Sequence, residues 1–597
     1  MRLTGPSLPP SPAILRPMLA QTRPWQLRPS MPDLVAELEH DLGVSRLIAT
    51  LLTLRGIQGA KAADQWMGKR LQDLHKPGLM KDMTVGAKRL AQAINNRERI
   101  LIHGDYDVDG STSASLLALL CRACNHEAIV WIPHRRIDGY GLSDSSLEAV
   151  KEHQAQLMIT VDCGIADGGW AQKIEAATGC HVIITDHHLP QGYLPTCTAV
   201  INPNRPDCPY PDKHLAGVGV AWKLAWATAV ELCGTDKVTE RLRGFLTSAL
   251  SLVAVGTVAD CAPLDGENRI LVHHGLKELA RTENLGLRAL LTHAGLVENQ
   301  PTASDVGWKL SPLLNASGRM DSAMANIRLL TARSAEEVTP VLEAIVLGND
   351  ERRRITQSLT SDLIAKAESD PGLAARNTLV FAGDGWHQGI VGIVASRLVE
   401  RFGKPAAVIA IENGLAKGSL RSIAAVHLGE AIDACRPLLK RGGGHAMAAG
   451  ITLEPDRVDA FRDAFERHVC SRVAPGSLVP RTDYDADAAL AELDQDFFNR
   501  LETMGPFGTG NREPVIRVSG AAFAGRPRLF GKDGDHLRGP LTDHGGSMRE
   551  LFAWKAKAIF SVISVPGRRF NLLVRPELNR WRGELSPRLV FVDGHSV

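Results

Sequence analysis

Arg99-Ile100-Leu101-Ile102-His103-Gly104-Asp105-Tyr106-Asp107-Val108-Asp109-Gly110 opens as an aliphatic run and closes in a turn crowded with carboxylates. The run predicts a buried strand, and Ser111 to Cys124, small and aliphatic without Pro or Gly, predicts the helix after it. A histidine and three aspartates thus fall between strand and helix. In open α/β folds that edge of a parallel sheet is where ligands bind. Neighbouring like charges repel, and a divalent cation holds them together at least cost. Oxygen donors with an imidazole suit Mn or Mg. An EF-hand is the rival, but its loop needs a Glu at the twelfth position, and apolar helix follows Gly110. A solvated, Asp-rich turn also accounts for the segment taken alone.

The pattern recurs further along. Leu157-Met158-Ile159-Thr160-Val161 runs into Asp162-Cys163-Gly164, and Val182-Ile183-Ile184-Thr185 runs into Asp186-His187-His188. Gly256-Thr257-Val258-Ala259-Asp260 ends a long apolar segment on an acid, which is costly to bury unless paired or metal-bound. One Asp after a strand is an ordinary helix cap. Three predicted strands ending in metal-ligand residues, one of them in Asp-His-His, are poorly explained by capping.

The length of 597 residues implies several domains, and 44% hydrophobic with 22% charged residues is globular composition. A net charge of +2 restricts any nucleic-acid site to a local groove. The apolar run Leu246–Val258 is too short for a bilayer and stops at Asp260, so no membrane is expected. The 10 cysteines sit mostly in apolar segments and do not form a disulfide framework, which fits a reducing cytoplasm. Residues 1–24 read as a disordered leader and 25–96 as a helical N-terminal region.

The chain's motifs together resemble the DHH phosphoesterase superfamily, which includes RecJ exonucleases, nano-RNA and cyclic-dinucleotide phosphodiesterases and family II pyrophosphatases. The resemblance rests on His-x-x-x-Asp-x-Asp-Gly, an isolated Asp after a strand, Asp-His-His, and Gly-Thr-Val-Ala-Asp. It implies His103, Asp107, Asp109, Asp162, His187 and Asp260 as metal ligands, with Asp105 added by the His-Gly-Asp-Tyr-Asp form similar to RecJ. His188 is implied either to stand behind the ligands or to contact the scissile phosphate and, with Asp162, to be catalytic. The donors exceed what one octahedral ion requires, so two ions, Mn2+ or Mg2+, are expected to clamp the phosphoryl group for in-line hydrolysis.

Leu310-Ser311-Pro312-Leu313-Leu314-Asn315-Ala316-Ser317-Gly318-Arg319-Met320 reads as a compact polar turn and resembles the Asn-Ala-x-Gly-Arg segment of RecJ. Asn315 and Arg319 are its substrate-binding candidates, the guanidinium being suited to forking onto phosphate. Residues 335–375 read as a connecting helix or helix pair. A second α/β unit follows, with glycine-bearing loops suited to anions. These are Gly383–Gly389 with His387, Gly418-Ser419-Leu420-Arg421-Ser422, and Arg441-Gly442-Gly443-Gly444-His445. They resemble the DHH-associated domain, which implies that His387, Ser419, Arg421, Gly443, Gly444 and His445 hold substrate phosphates. Met504-Gly505-Pro506-Phe507-Gly508-Thr509-Gly510-Asn511-Arg512-Glu513-Pro514 is similar to a RecJ segment, with Arg512 where Pro is usual. Predicted strands at Pro514–Val518, Ile559–Val565, Phe570–Arg575 and Arg588–Val592, with basic residues, Phe552, Trp554 and Trp581, fit an OB-like barrel that tracks single strands.

The expected fold is α/β: a DHH parallel-sheet domain over 97–334, the connecting helix over 335–375, a smaller DHH-associated domain over 376–471 and the OB-like domain over 472–597. The resemblance implies a metal-dependent exonuclease that removes 5′ nucleotides from single-stranded DNA in recombination and repair. Single-strand-binding protein and a RecQ-type helicase are the implied partners. The alternatives are a nano-RNA or cyclic-dinucleotide phosphodiesterase, and an inactive single-strand-binding replication factor.

Overall fold

The computed structural model describes residues 24–134, 138–139, 141–320, 322–473, 481–565, 567–581 and 584–597. The expectation for the leader falls on residues outside that set, as does the side chain of Trp581. The described chain forms two units, one of 27–346 with 484–597, the other of 24–26 with 347–483.

At the heart of the first unit is a five-stranded parallel sheet. Its order is Ile129–Trp131, Ile100–Gly104, Leu157–Val161, His181–Thr185, Ala199–Ile201. The order reverses between Ile100–Gly104 and Leu157–Val161, which makes their carboxyl ends the topological switch point. Both strands are buried at every position, as parallel strands covered on both faces must be. The first strand runs through Gly104, so His103 belongs to the strand and not to the turn after it. Helices Val108–Ala123, Gly217–Cys233 and Leu250–Ala259 are apolar nearly all round because they lie inside the unit. Glu240–Ala259 is long and apolar enough to cross a membrane by composition. Here it is two consecutive helices, and Leu250, Leu252, Val253, Ala254 and Val255 are buried in the core.

The C-terminal part of this unit is a seven-stranded sheet in which Ile516–Phe523 pairs with both Phe570–Trp581 and His536–Thr542, curling it into the expected OB-like barrel. The predicted strand Ile559–Val565 is instead a short helical turn with helix Phe560–Ile563. Ile559 and Ile563, four apart, go into the core together, a spacing that a strand would not serve. The barrel's leading loop is fastened to the rest of the unit. Leu264 N–H donates to Thr509 O at 2.7 Å, and Arg55 donates to Asn511 Oδ1 at 2.7 Å and Arg512 O at 2.6 Å. Buried Arg269 stacks on Trp66 and donates to Met504 O at 2.9 Å, a cation at the C-terminus of helix Gln495–Met504.

The connector is one long helix, Ala335–Ser369, followed within the expected bounds by the short helix Pro371–Ala375. In the second unit Arg441–Gly444, Ala448–Leu453, Leu415–Arg421, Ala406–Glu412 and Leu379–Asp384 form a mixed sheet, parallel only between the last two.

Candidate metal centre

Each acid at the switch point is placed by a local device. Asp107 caps helix Val108–Ala123, its Oδ1 accepting Gly110 N–H at 2.9 Å. A Cβ on Gly110 would lie 2.6 Å from Asp105 O, so the turn closes this tightly only around glycine. Asp109, in the first turn of the helix, reaches across to the N-terminus of helix Gly217–Cys233. There Gly217 N–H and Val218 N–H donate to its two oxygens at 2.7 and 2.9 Å. Asp162 leaves its strand with φ +63°, a left-handed conformation that few residues other than Gly, Asn and Asp adopt readily. Asp260 ends helix Leu250–Ala259, where the helix dipole disfavours an acid.

These side chains meet. His187 Nε2 lies 3.2 Å from Asp162 Oδ1, 3.9 Å from Asp260 Oδ2 and 4.0 Å from Asp109 Oδ2. Ligand atoms within 4.8 Å of one another form three overlapping sets: Asp105, Asp107 and Asp162; Asp109, His187 and Asp260; and Asp162, His187 and His188. His103 stands apart from these sets. Its pleat position turns Nε2 to Ser146 Oγ at 3.0 Å and leaves Nδ1 3.7 Å from Cys163 Sγ, beside the Trp131 ring.

Burial, and then the charges of Asp260 and Asp107, push Asp109 well above the usual carboxylate range; burial and Asp109 do the same to Asp162. Burial and Asp107 raise Asp260 to about 7. Burial drives His187 down to about 4, so its ring is neutral at physiological pH. A neutral imidazole facing carboxylates that cannot all ionise unaided is the donor set of a divalent-cation site. The residues fit the group.

His188 is held differently. Burial opposes its charged form, but the bond from Nδ1 to Asp186 Oδ1 at 2.7 Å and the charges of Asp186 and Asp260 prevail and raise it to about 9. Asp186, buried, also accepts from His187 N, His188 N and Ile165 N, so it orients the whole His-His step. Asn202 and Asn204 hold the carbonyls of His188 and His187 at 2.9 and 2.6 Å. Asp186 is flagged in the sequence only as part of the Asp-His-His string; Asn202, Asn204 and Gly217 are distant in sequence and carry no local signature.

The Asn315–Arg319 segment is a helix, Ser311–Met320, not a polar turn. A Cβ on Gly318 would sit 2.2 Å from Tyr106 O, so this glycine permits close packing against the acidic turn. Helix packing, not turn chemistry, explains the glycine.

In the second unit a Cβ on Gly392 would lie 3.2 Å from Arg421 Nη2 and 3.4 Å from Ser419 Oγ, which brings both side chains to the start of helix Val391–Phe402. Gly443, Gly450 and Ser419 fall in one row across three strands. His445 N–H donates to Ala448 O at 2.8 Å, with Gly444 at φ +153° beside it. His387 Nδ1 accepts from Gly389 N–H at 3.1 Å in the loop before the helix.

Three family models match. Residues 99–257 match the DHH family, N-terminal domain, 375–469 the DHHA1 domain, and 484–593 the RecJ OB domain. The chain is 34% identical over 578 residues to the single-stranded-DNA-specific exonuclease RecJ of Bacillus subtilis, spanning 96% of this chain and 71% of that one. To the Escherichia coli protein of the same name it is 33% identical, over 95% of this chain and 98% of the other. The crystal structure of RecJ from Thermus thermophilus in complex with Mn2+ is similar with a TM-score of 0.77 at 28% identity, covering 96% of this chain and 79% of that one. Its Mg2+ complex gives 0.71 at 27% identity, covering 96% and 78%.

Proposed function

The chain belongs to the RecJ family of single-stranded-DNA-specific exonucleases, and we propose on that premise that it removes nucleotides from the 5′ end of single strands during DNA recombination and repair. It is a phosphodiester hydrolase of single-stranded DNA that uses Mn2+ or Mg2+. The observation that carries the reading is His187 Nε2 facing Asp162, Asp109 and Asp260 within 4.0 Å.

Asp105, Asp107, Asp109, Asp162, His187 and Asp260 would hold two cations, with His103 as the outlying member. Cations bound there supply Lewis-acid polarisation of the phosphoryl oxygen and an acidified water. Asp109 is locked by two backbone N–H groups, so the centre needs little reorganisation when charge develops. His188, its Nδ1 engaged by Asp186, carries a second N–H on Nε2 when protonated and donates it to the scissile phosphate. Arg319 forks onto a neighbouring phosphate, and Asn315 lines the same helix face. In the second unit His387, Ser419, Arg421, Gly443, Gly444 and His445 bind further phosphates through side chains and bare backbone.

The barrel contributes grip. Phe530, His536, Phe552 and Trp554 form one partly open aromatic cluster with centroids 5.1–6.4 Å apart, and Arg588 lies 5.0 Å from the Phe552 ring. Aromatic faces with arginines are a sequence-tolerant surface for single strands. Single-strand-binding protein and a RecQ-type helicase are the partners we assign, and the cytoplasm the compartment. We assign the domain boundaries read from the sequence, at 25, 97, 335, 376 and 472.

Digestion of end-labelled single strands and duplexes with Mn2+ or Mg2+ tests this. Mononucleotides released from the 5′ end of single strands, with duplex spared, are expected. Attack from the 3′ end, or equal attack on duplex, would overturn it.

A further inference from the structure

The helix that packs on the acidic turn carries an aromatic residue the reading above leaves unused. Val306–Leu310 is a π-helical turn leading into Ser311–Met320, and such turns recur at functional sites. Through this stretch Leu310, Ser311, Leu313, Leu314, Ala316, Ser317 and Gly318 are buried, whereas Gly307, Trp308, Lys309, Pro312, Asn315, Arg319 and Met320 are open in part or more. Of these, Trp308, Pro312, Asn315 and Arg319, spaced four, three and four apart, share one face. Trp308 is 50% exposed, and no other described tryptophan is classed as exposed. Water is a poor surrounding for an indole face, and neither the core nor a barrel strand requires it there.

Both ends of the helical stretch are tied to the metal centre. Gly318 meets Tyr106 O, next to Asp105 and Asp107, and a Cβ on Gly307 would lie 3.7 Å from Val258, two residues before Asp260. The stretch therefore runs alongside the centre, packed on it through these two glycines. Arg319 lies eleven positions after Trp308, roughly 16 Å at the helical rise, or several nucleotides along a strand.

We propose that Trp308 is a base-stacking platform for the single strand, holding a nucleotide several positions from the one being cleaved. This rests on the exonuclease reading and extends it. Arg319 fixes a phosphate near the centre, Pro312 and Asn315 line the path, and the indole holds a base without regard to sequence. A substrate of two nucleotides is too short to engage both Arg319 and Trp308, so Trp308 is a specificity element for long strands over short ones.

The test compares the full wild-type chain, Trp308→Ala and Trp308→Phe on a dinucleotide and on an oligonucleotide of about twenty nucleotides, where one stacked base is worth about five- to hundredfold. In Trp308→Ala the KM for the long strand rises within that range, and its preference over the dinucleotide falls by the same factor. Trp308→Phe retains most of the preference. Removing one base from the long strand, at the position that Trp308 reaches, reproduces the loss in wild type and adds nothing in Trp308→Ala. Anisotropy of the labelled long strand, measured in chelator, should show the same weakening without turnover. An unchanged long-strand KM and anisotropy in Trp308→Ala, or an equal loss on both substrates, overturns the platform. Failure of the wild-type chain to degrade the long strand overturns the exonuclease reading instead.

Discussion

Manganese affinity should climb steeply with pH on the acid side of neutrality. An aspartate in an unfolded chain releases its proton near pH 3.9, but Asp260 keeps it to about 7, through burial first and Asp107 second. Asp109 and Asp162, pushed up by burial and by neighbouring carboxylates, also keep theirs well past the ordinary range. His187, depressed to about 4, is already neutral and contributes no proton. Every proton a cation must displace makes apparent affinity rise tenfold per pH unit, about 1.4 kcal/mol. With Asp260 and one of the buried pair involved, the gain from about pH 5 to about pH 7 reaches at most about ten-thousandfold. Calorimetric titration of chelator-treated protein, repeated in buffers of different ionisation enthalpy, counts the protons. The same shifts act on the metal-free fold. Its raised carboxylates contribute fully below about pH 4, and that contribution is lost as pH rises through 7, roughly 4 kcal/mol for Asp260 alone. Mn2+ should accordingly raise Tm more at neutral pH than in acid. An affinity flat across this window, with no proton release, would refute the reasoning.

Gly256→Ala would put a methyl 2.3 Å from Thr112 Oγ1 and 3.0 Å from Asp109 Oδ1, so about 1–3 kcal/mol of stability and much of the Mn2+ affinity should be lost, read by urea unfolding and calorimetry. Asp186→Asn keeps an acceptor oxygen but removes the negative charge that helps hold His188 protonated; kcat should fall about 10- to 100-fold with KM for single strands little changed in steady-state kinetics. Arg55→Ala strips three charged hydrogen bonds that bind Leu51, Asn511 and Arg512, and the first thermal transition should drop by about 4–8 °C in scanning calorimetry.

How much was legible follows from how local each signal is. The strands ending at Gly104, Val161 and Thr185 carry their own apolar pattern, and the ligands sit directly behind them, so the parallel sheet and most of the centre could be read. The OB-like barrel was legible only in part, because Ile559–Val565 has the β-branched composition of a strand while its packing demands a four-residue spacing. Asn315–Arg319 looked like a turn because Asn, Ser and Gly are turn residues, yet its glycine serves the contact with Tyr106. Gly217, Asn202 and Asn204 act through bonds that span a wide sequence separation or end on backbone carbonyls, which no periodicity encodes. For His103 the residue spacing gave no direction, whereas the pleat of the strand did.

Equilibrium Mn2+ binding to the wild-type chain and to Asp162→Asn, read alongside single-strand digestion, tests most directly whether these dispersed acids and imidazoles form one working centre. Cation binding and digestion should be lost together in the variant, with the fold intact by circular dichroism. Wild-type Mn2+ binding by a folded Asp162→Asn would contradict the account.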